Sequence, residues 1–284
     1  MTEIAVVIPV YKPFENLNEF EKRSISNCLK KLSDLDVFMV GPRFLKESYR
    51  AQYSQVKFHV FKDHFFKSIA GYNKLLKHPE FYLRFKSYSH ILIVQTDAWI
   101  FGHSEDLKPF TRWDFAGAPS MFNEKLRGYN GGLSLRNVQK CLQVLRTFRY
   151  FSRPREIVKR HTENQSLINI LAKKWISIFL DLTIRNNFMY PLNRFVHDNE
   201  DIFWSSFVAS QYPDFKVIEY NEAVKFAWEH DLEKLYQTYP LPFGLHGWWN
   251  YNLSFWRSRT DKVLLQELGL QEPLDASTEE NKDE

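Results

Sequence analysis

Apolar positions in the N-terminal third come as short continuous runs separated by stretches with helical spacing. Ile4–Val10 is a β-branched run closed by Pro9 and Tyr11, the pattern of a buried strand. Asn16–Leu32 carries Leu17, Phe20, Ile25, Cys28, Leu29 and Leu32 at helical spacing. Asn16 is placed to cap that helix, with Glu19 three residues on. Asp36–Gly41 and Val56–Phe61 predict two further strands, and Ser68–Lys77 a helix. Ser89–Phe101 is the longest apolar run and predicts one strand buried on both faces, as in a parallel sheet. Strands alternating with helices imply a doubly wound α/β sheet. Ligands of such sheets bind beyond the carboxyl ends of the strands. Pro9–Lys12 and Gln95–Asp97 therefore fall at one rim.

The rest of the chain is less regular. A helix is expected from about Val138 to Tyr150, and a strand at Lys216–Tyr220. The stretch at about 151–195 reads as a basic helical insertion, with capping-box spacing at Thr162 and Gln165 and an apolar stripe through Leu171 and Trp175. It is either a helix packed on the domain or an element that meets a membrane surface or an acceptor. Residues 1–272 read as one domain and 273–284 as a disordered acidic tail.

Composition narrows the classes. The chain has 284 residues, ample for a buried core, and a net charge of +4. That charge is too small and dispersed for a nucleic-acid binder, but it suits acidic small ligands or an anionic membrane face. Two cysteines without metal-ligand spacing read as buried thiols in a reducing, cytoplasmic setting. No run has the apolar length of a membrane span. Aromatic residues make up 17% of the chain, more than core filling asks for, and their flat faces also suit sugar rings and bases.

Four segments carry candidate chemistry. Asp97 is a lone carboxylate after an apolar run, costly unless partnered by a cation or a turn. Asn130-Gly131-Gly132-Leu133-Ser134 is either a hairpin turn or a place where backbone amides approach a ligand closely. Asn199-Glu200-Asp201 precedes an apolar helical stretch; its acids either cap that helix or supply a base. Pro242–Trp249 sets His246 between glycines and aromatics, as a ligand or as a hydrogen-bonded core histidine.

Taken in order, VVIPVYK, QTDAW, GYNGGLSLRN, NEDIFW and PFGLHGWW resemble the core motifs of the GT-A-fold glycosyltransferases. With FYLRFKSYSHILIVQTD and WDFAGAPS, the set is similar to a little-characterised microbial family of predicted glycosyltransferases catalogued as a domain of unknown function. The resemblance runs from about Ile4 to Trp249. It implies a GT-A-like, Rossmann-like α/β fold: a doubly wound mixed, mostly parallel sheet flanked by helices. It also implies a nucleotide-sugar donor, UDP-linked first of all, and a glycan or lipid-linked saccharide acceptor. The family's Asp-x-Asp element falls on Gln95-Thr96-Asp97, so only Asp97 carries over as a ligand for Mn²⁺ or Mg²⁺, with His246 completing the site. Gly131 and Gly132 would lie near donor and acceptor. Pro9 and Tyr11 would hold the nucleotide base, with Tyr11 stacking on it.

The mechanism implied is inverting transfer. Asp201 takes the acceptor proton, Glu200 orients the acceptor or its loop, Lys74 or Arg136 contacts phosphate, and Trp248 and Trp249 wall the acceptor pocket. Two other readings stand beside it. A nucleotidyltransferase would need a basic Gly-rich loop after the first strand, where VIPVYKPFEN has one lysine and no glycine. A catalytically silent sugar-binding module is suggested by Gln95, which replaces the first acid.

Overall fold

The β-branched run at the N-terminus does form a buried strand. In the computed structural model, which describes residues 2–122, 125–147, 171, 175, 199–259 and 261–270, β1 spans Thr2–Pro9 and Ile4–Val10 is buried throughout. It is followed by α1 (Glu19–Lys31), β2 (Asp36–Gly41), α2 (Lys46–Gln52), β3 (Lys57–Val60), α3 (Ile69–Leu75) and α4 (Pro79–Leu83). Then come β4 (Tyr88–Val94), β5 (Trp99–Ile100), β6 (Phe115–Phe122), β7 (Lys125–Asn137) and α5 (Val138–Thr147). The main sheet has the order β3-β2-β1-β4-β7-β6. β1 to β4 pair in parallel, while β7 runs antiparallel to β4 and to β6. This is the mixed, mostly parallel, helix-flanked sheet expected. Parallel strands covered on both faces explain the unbroken apolar runs of β1 and β4.

Local chemistry moves several boundaries. α1 begins two residues later than its spacing implied: Asn18, not Asn16, accepts from the Glu21 amide, and Glu21 returns the bond in a capping box. Asn16 ends a preceding 3₁₀ turn instead. The run read as one strand over Ser89–Phe101 is two strands in different sheets, because Gln95-Thr96-Asp97 turns the chain between them. Lys216–Tyr220 is not a strand; one parallel bridge joins Phe115 to Val217, and Tyr220 opens a helix. The basic insertion, its capping box and the acidic tail lie outside the described residues, except that Leu171 and Trp175 are exposed.

The second sheet fixes the site. β5 pairs antiparallel with β9 (Gly244–Leu245), which lies parallel to β8 (Ala227–Trp228). The start of β5 and the ends of β8 and β9 therefore face the same way. Residues flanking those three ends, Asp97, Glu229 and His246, are brought together. A second apolar core packs behind this sheet, built from Trp99, Trp228, Trp248 and Trp256. Much of the aromatic excess is spent there. Cys28 and Cys141 are free and buried, and burial pushes the Cys28 thiol up to about 12. Among the described residues no helix is long and apolar enough to cross a membrane.

Candidate active site

At the carboxyl rim of β1 and β4 lies a cavity of about 490 Å³. β7 closes one side: Gln95 N donates to Gly132 O at 2.9 Å, which ties the turn after β4 to the glycine pair. Helix α6 (Glu200–Ile202), continued by a π-helical stretch Phe203–Val208, brings the Glu-Asp pair to the same rim.

His246 is buried at the centre. Its Nδ1 lies 2.9 Å from Glu229 Oε1, an oxygen that also accepts from Asn130 Nδ2 at 2.9 Å. Its Nε2 faces Asp97 Oδ1 at 3.3 Å and Gln95 Oε1 at 3.2 Å. Burial alone would lower the imidazole pKa, but Asp97 and the bond to Glu229 raise it to about 10. Burial alone would raise the Asp97 carboxyl, and His246 holds it below its ordinary value. A neutral ring donating to Glu229 would aim three lone pairs at one point. A positive centre there, either the Nε2 proton or a metal ion that displaces it, satisfies all three.

The donor set fits a metal ion. Neighbouring ligands around an octahedral Mg²⁺-sized ion are about 3 Å apart, close to the separations of Nε2 from the two oxygens. A carboxylate behind the histidine is the usual outer support of a metal-bound imidazole. No group of three His, Cys, Asp or Glu side chains among the described residues forms a complete metal cage. Ligand oxygens would have to complete the coordination. Gln95, neutral but oxygen-bearing, is a competent member of the set.

The glycine pair has a different purpose from the one its sequence implied. Neither residue sits in a hairpin turn or at positive φ; both lie within β7. A Cβ on Gly132 would stand 2.0 Å from His246 Nε2, and one on Gly131 would stand 2.2 Å from Glu200 Oε1. The Gly132 amide is already taken, donating to Asn130 Oδ1 at 2.6 Å. The pair leaves room for side chains rather than presenting amides. Gly132→Ala should therefore cost about 1–3 kcal/mol by overpacking and dislodge His246. Urea unfolding checks the first effect and Mn²⁺ titration the second; wild-type behaviour in both would contradict the packing described.

The acidic pair divides its duties. Glu200 is buried and takes two bonds from the fully buried Arg136, at 2.6 and 2.9 Å. Asp201 lines the cavity. Burial first, then the neighbouring Glu200, raises its carboxyl to about 6.

Of the other expected residues, Tyr11 lines the cavity, its ring exposed at the mouth and set edge-on to Tyr72. Pro9 is buried in β1 and does not reach the cavity. Thr96 turns away to Glu21 at 3.3 Å. Lys74 is exposed and does not line the cavity; Lys67, just before α3, lines it instead. Arg136 cannot reach a phosphate, being sealed beneath Glu200. Trp248 is fully buried, with Nε1 donating to Ser24 Oγ at 2.8 Å, and Trp249 stacks on Phe20. Neither lines this cavity; both belong to the second core.

Sequence reasoning missed Glu229 and Tyr72, and named Asn130 only as the first residue of the glycine segment. Glu229 had a signal, a carboxylate directly after the apolar Ala227-Trp228, the same pattern that singled out Asp97. The buried Tyr72 hydroxyl lies beside Tyr11 and Gln95 on the cavity wall. Nothing in its helical surroundings announced that.

No curated protein matches the chain. Among solved structures, mouse xyloside xylosyltransferase 1 in its apo form is similar at TM-score 0.45 and 13% identity, over 88% of this chain and 98% of the other. The glycosyltransferase GlyE of Streptococcus pneumoniae TIGR4 is similar at TM-score 0.45 and 16% identity, over 94% of this chain and 60% of the other. The galactosyltransferase LgtC, in complex with donor and acceptor sugar analogues, matches at TM-score 0.44 and 10% identity, over 96% and 98%. Likenesses this distant leave the reading of the site to its own geometry. The family model described as protein of unknown function (DUF5672) matches residues 55–246, which take in every site residue from Lys67 to His246 and more than half of the chain, and the chain belongs to that family.

Proposed function

We propose that the chain is a glycosyltransferase that moves a sugar from a nucleotide-sugar donor, UDP-linked first of all, to a hydroxyl of a glycan or glycolipid acceptor. The observation that carries this is the meeting of Gln95, Asp201 and His246, from three separate motifs, around one cavity at the strand rim, with Asp97 against His246. Its volume of about 490 Å³ suits a ligand of nucleotide-sugar size. Tyr11, exposed at the mouth, has a free face for a base. Lys67 and the Tyr72 hydroxyl can meet phosphate or sugar oxygens.

Electrostatics favours a metal in this reading. Asp97, Glu200, Asp201 and Glu229 outweigh Arg136, Lys67 and a protonated His246, so a diphosphate entering alone would meet net negative charge. Asp97 Oδ1, His246 Nε2 and Gln95 Oε1 would hold Mn²⁺ or Mg²⁺, with Glu229 fixing the imidazole. Such an ion, when bound, takes up negative charge developing on the leaving diphosphate. Gln95 was the reason to consider a silent binding module; its oxygen facing Nε2 supports the transferase reading instead.

In this mechanism Asp201 accepts the acceptor hydroxyl's proton as that oxygen bonds to the anomeric carbon. The bond from that carbon to the diphosphate oxygen breaks, and its electron pair leaves with the diphosphate. Attack from the opposite face inverts the anomeric centre. Glu200 stays paired to Arg136 and holds the start of α6, and so Asp201, in position. A cytoplasmic setting goes with the free thiols.

A base with a pKa of about 6 sets a pH profile. Asp201 works ionised, so kcat/KM should be level above about pH 6 and fall about tenfold per unit below it. A rate that rises on acidification would remove Asp201 from this role. Calorimetric titration of UDP and GDP, with and without Mn²⁺, tests the donor site. Binding strengthened by Mn²⁺ is expected, and no binding under either condition would overturn the reading.

A further inference from the structure

A second cavity, of about 540 Å³, begins one residue beyond Glu229. His230 and Asp231 line it, and Glu229 is the residue that holds His246 in the first cavity. On its other side it is lined by Pro119, which pairs with Tyr129, the neighbour of Asn130 in the first cavity. The two cavities are thus separated by the Tyr129-Asn130 strand segment and Glu229.

Its lining is mixed in a telling way. Asp231 and Lys234 bring opposite charges, His230 an imidazole, and Tyr220 a phenol, around apolar Pro119, Met121 and Leu235. An anion would want one sign of charge, and an apolar ligand none. A ring with many hydroxyls and apolar C–H faces uses all of these groups. Asp231 strengthens the case. It is the single non-glycine residue at positive φ among the described residues, at φ 57°. Its side chain makes no capping bond to the helix it precedes, Leu232–Thr238. Strain held at a residue whose carboxylate has no local structural duty is a mark of function.

We infer that this second cavity is an acceptor subsite, binding a saccharide unit of the acceptor remote from its reactive hydroxyl. The inference rests on the glycosyltransferase reading and adds the acceptor's location and chemical class to it.

The test probes a printed array of neutral and N-acetylated glycans with the full chain and with Asp231→Gly/Lys234→Ala. Glycine adopts the left-handed backbone of position 231 without strain and Lys234 is exposed, so the double variant should fold; its thermal midpoint checks that. The wild type should retain a defined glycan class, and the double variant should bind it at least tenfold more weakly. Equal retention by the double variant, or an array left blank by the wild type, overturns the assignment. A parallel titration of UDP with Mn²⁺ into the wild type separates the two claims. Glycans retained without nucleotide binding would sink the transferase reading alone. Nucleotide bound with a blank array would sink the acceptor subsite alone.

Discussion

Arg136→Met should destabilise the fold by about 3–5 kcal/mol, the cost of breaking a buried ion pair from one side. Arg136 has no solvent exposure. It donates to both oxygens of Glu200, to Ser134 Oγ at 3.0 Å, and to Tyr82 Oη at 3.3 Å, and its guanidinium lies over the Phe115 ring at 5.1 Å. Burial alone would lower its pKa; Glu200 and Tyr82 keep it charged. Methionine fills much of the volume but leaves the Glu200 carboxylate buried without a counter-charge. The loss should be largely undone in Arg136→Met/Glu200→Leu, because two apolar groups of similar size need no pairing. Urea unfolding of the single and double variants measures both. A single-variant loss below about 1 kcal/mol would mean that the pair is solvated.

Asp201→Asn should lower transfer by about 10²–10⁴-fold while making the protein more stable. The carboxyl is raised to about 6 by burial and by Glu200, so near neutral pH the folded chain carries an ionised group that it disfavours. Removing that charge should return about 1–2 kcal/mol. The sign follows from proton uptake. Between about pH 4 and 6 the folded chain holds this proton more tightly than the unfolded one, so stability falls as pH rises through that window and is level above it. The asparagine variant lacks this dependence. Its advantage should be full near pH 7 and vanish near pH 4. A variant that is neither slower nor more stable would show that Asp201 is solvated and idle.

Much of the fold could be read from period and capping chemistry. Asp36–Gly41 matches its strand end for end, because a β-branched and aromatic run bounded by Asp and Gly leaves little choice. The helix before it slid by two residues because two asparagines, each with an acid three residues on, compete to cap, and Asn16 is taken up by the 3₁₀ turn that precedes Asn18. Apolar content alone could not divide Ser89–Phe101, since strands from two different sheets look the same in a continuous run. The division is the polar tripeptide that holds Asp97. The glycine pair illustrates another limit. Composition says that a side chain is absent, but not whether its absence serves φ, a ligand or a neighbour. At Gly131 and Gly132 the neighbours are Glu200 and His246, some seventy and more than a hundred residues away. The same distance hid Glu229, whose role depends on a small sheet with two-residue strands. Trp248 and Trp249 were misread because an aromatic pair looks alike in a core and in a pocket wall.

The proposed glycosyl transfer in this cavity depends on Asp97 and His246. Release of nucleoside diphosphate from a panel of UDP- and GDP-sugars, with Mn²⁺ and glycans retained on the array, tests it most directly when wild type is set beside Asp97→Ala. The wild type should show acceptor-dependent release from at least one donor, and the alanine variant at least a hundredfold less. Equal release by the two proteins, or none by a wild type that binds both nucleotide and glycan, would contradict the proposal.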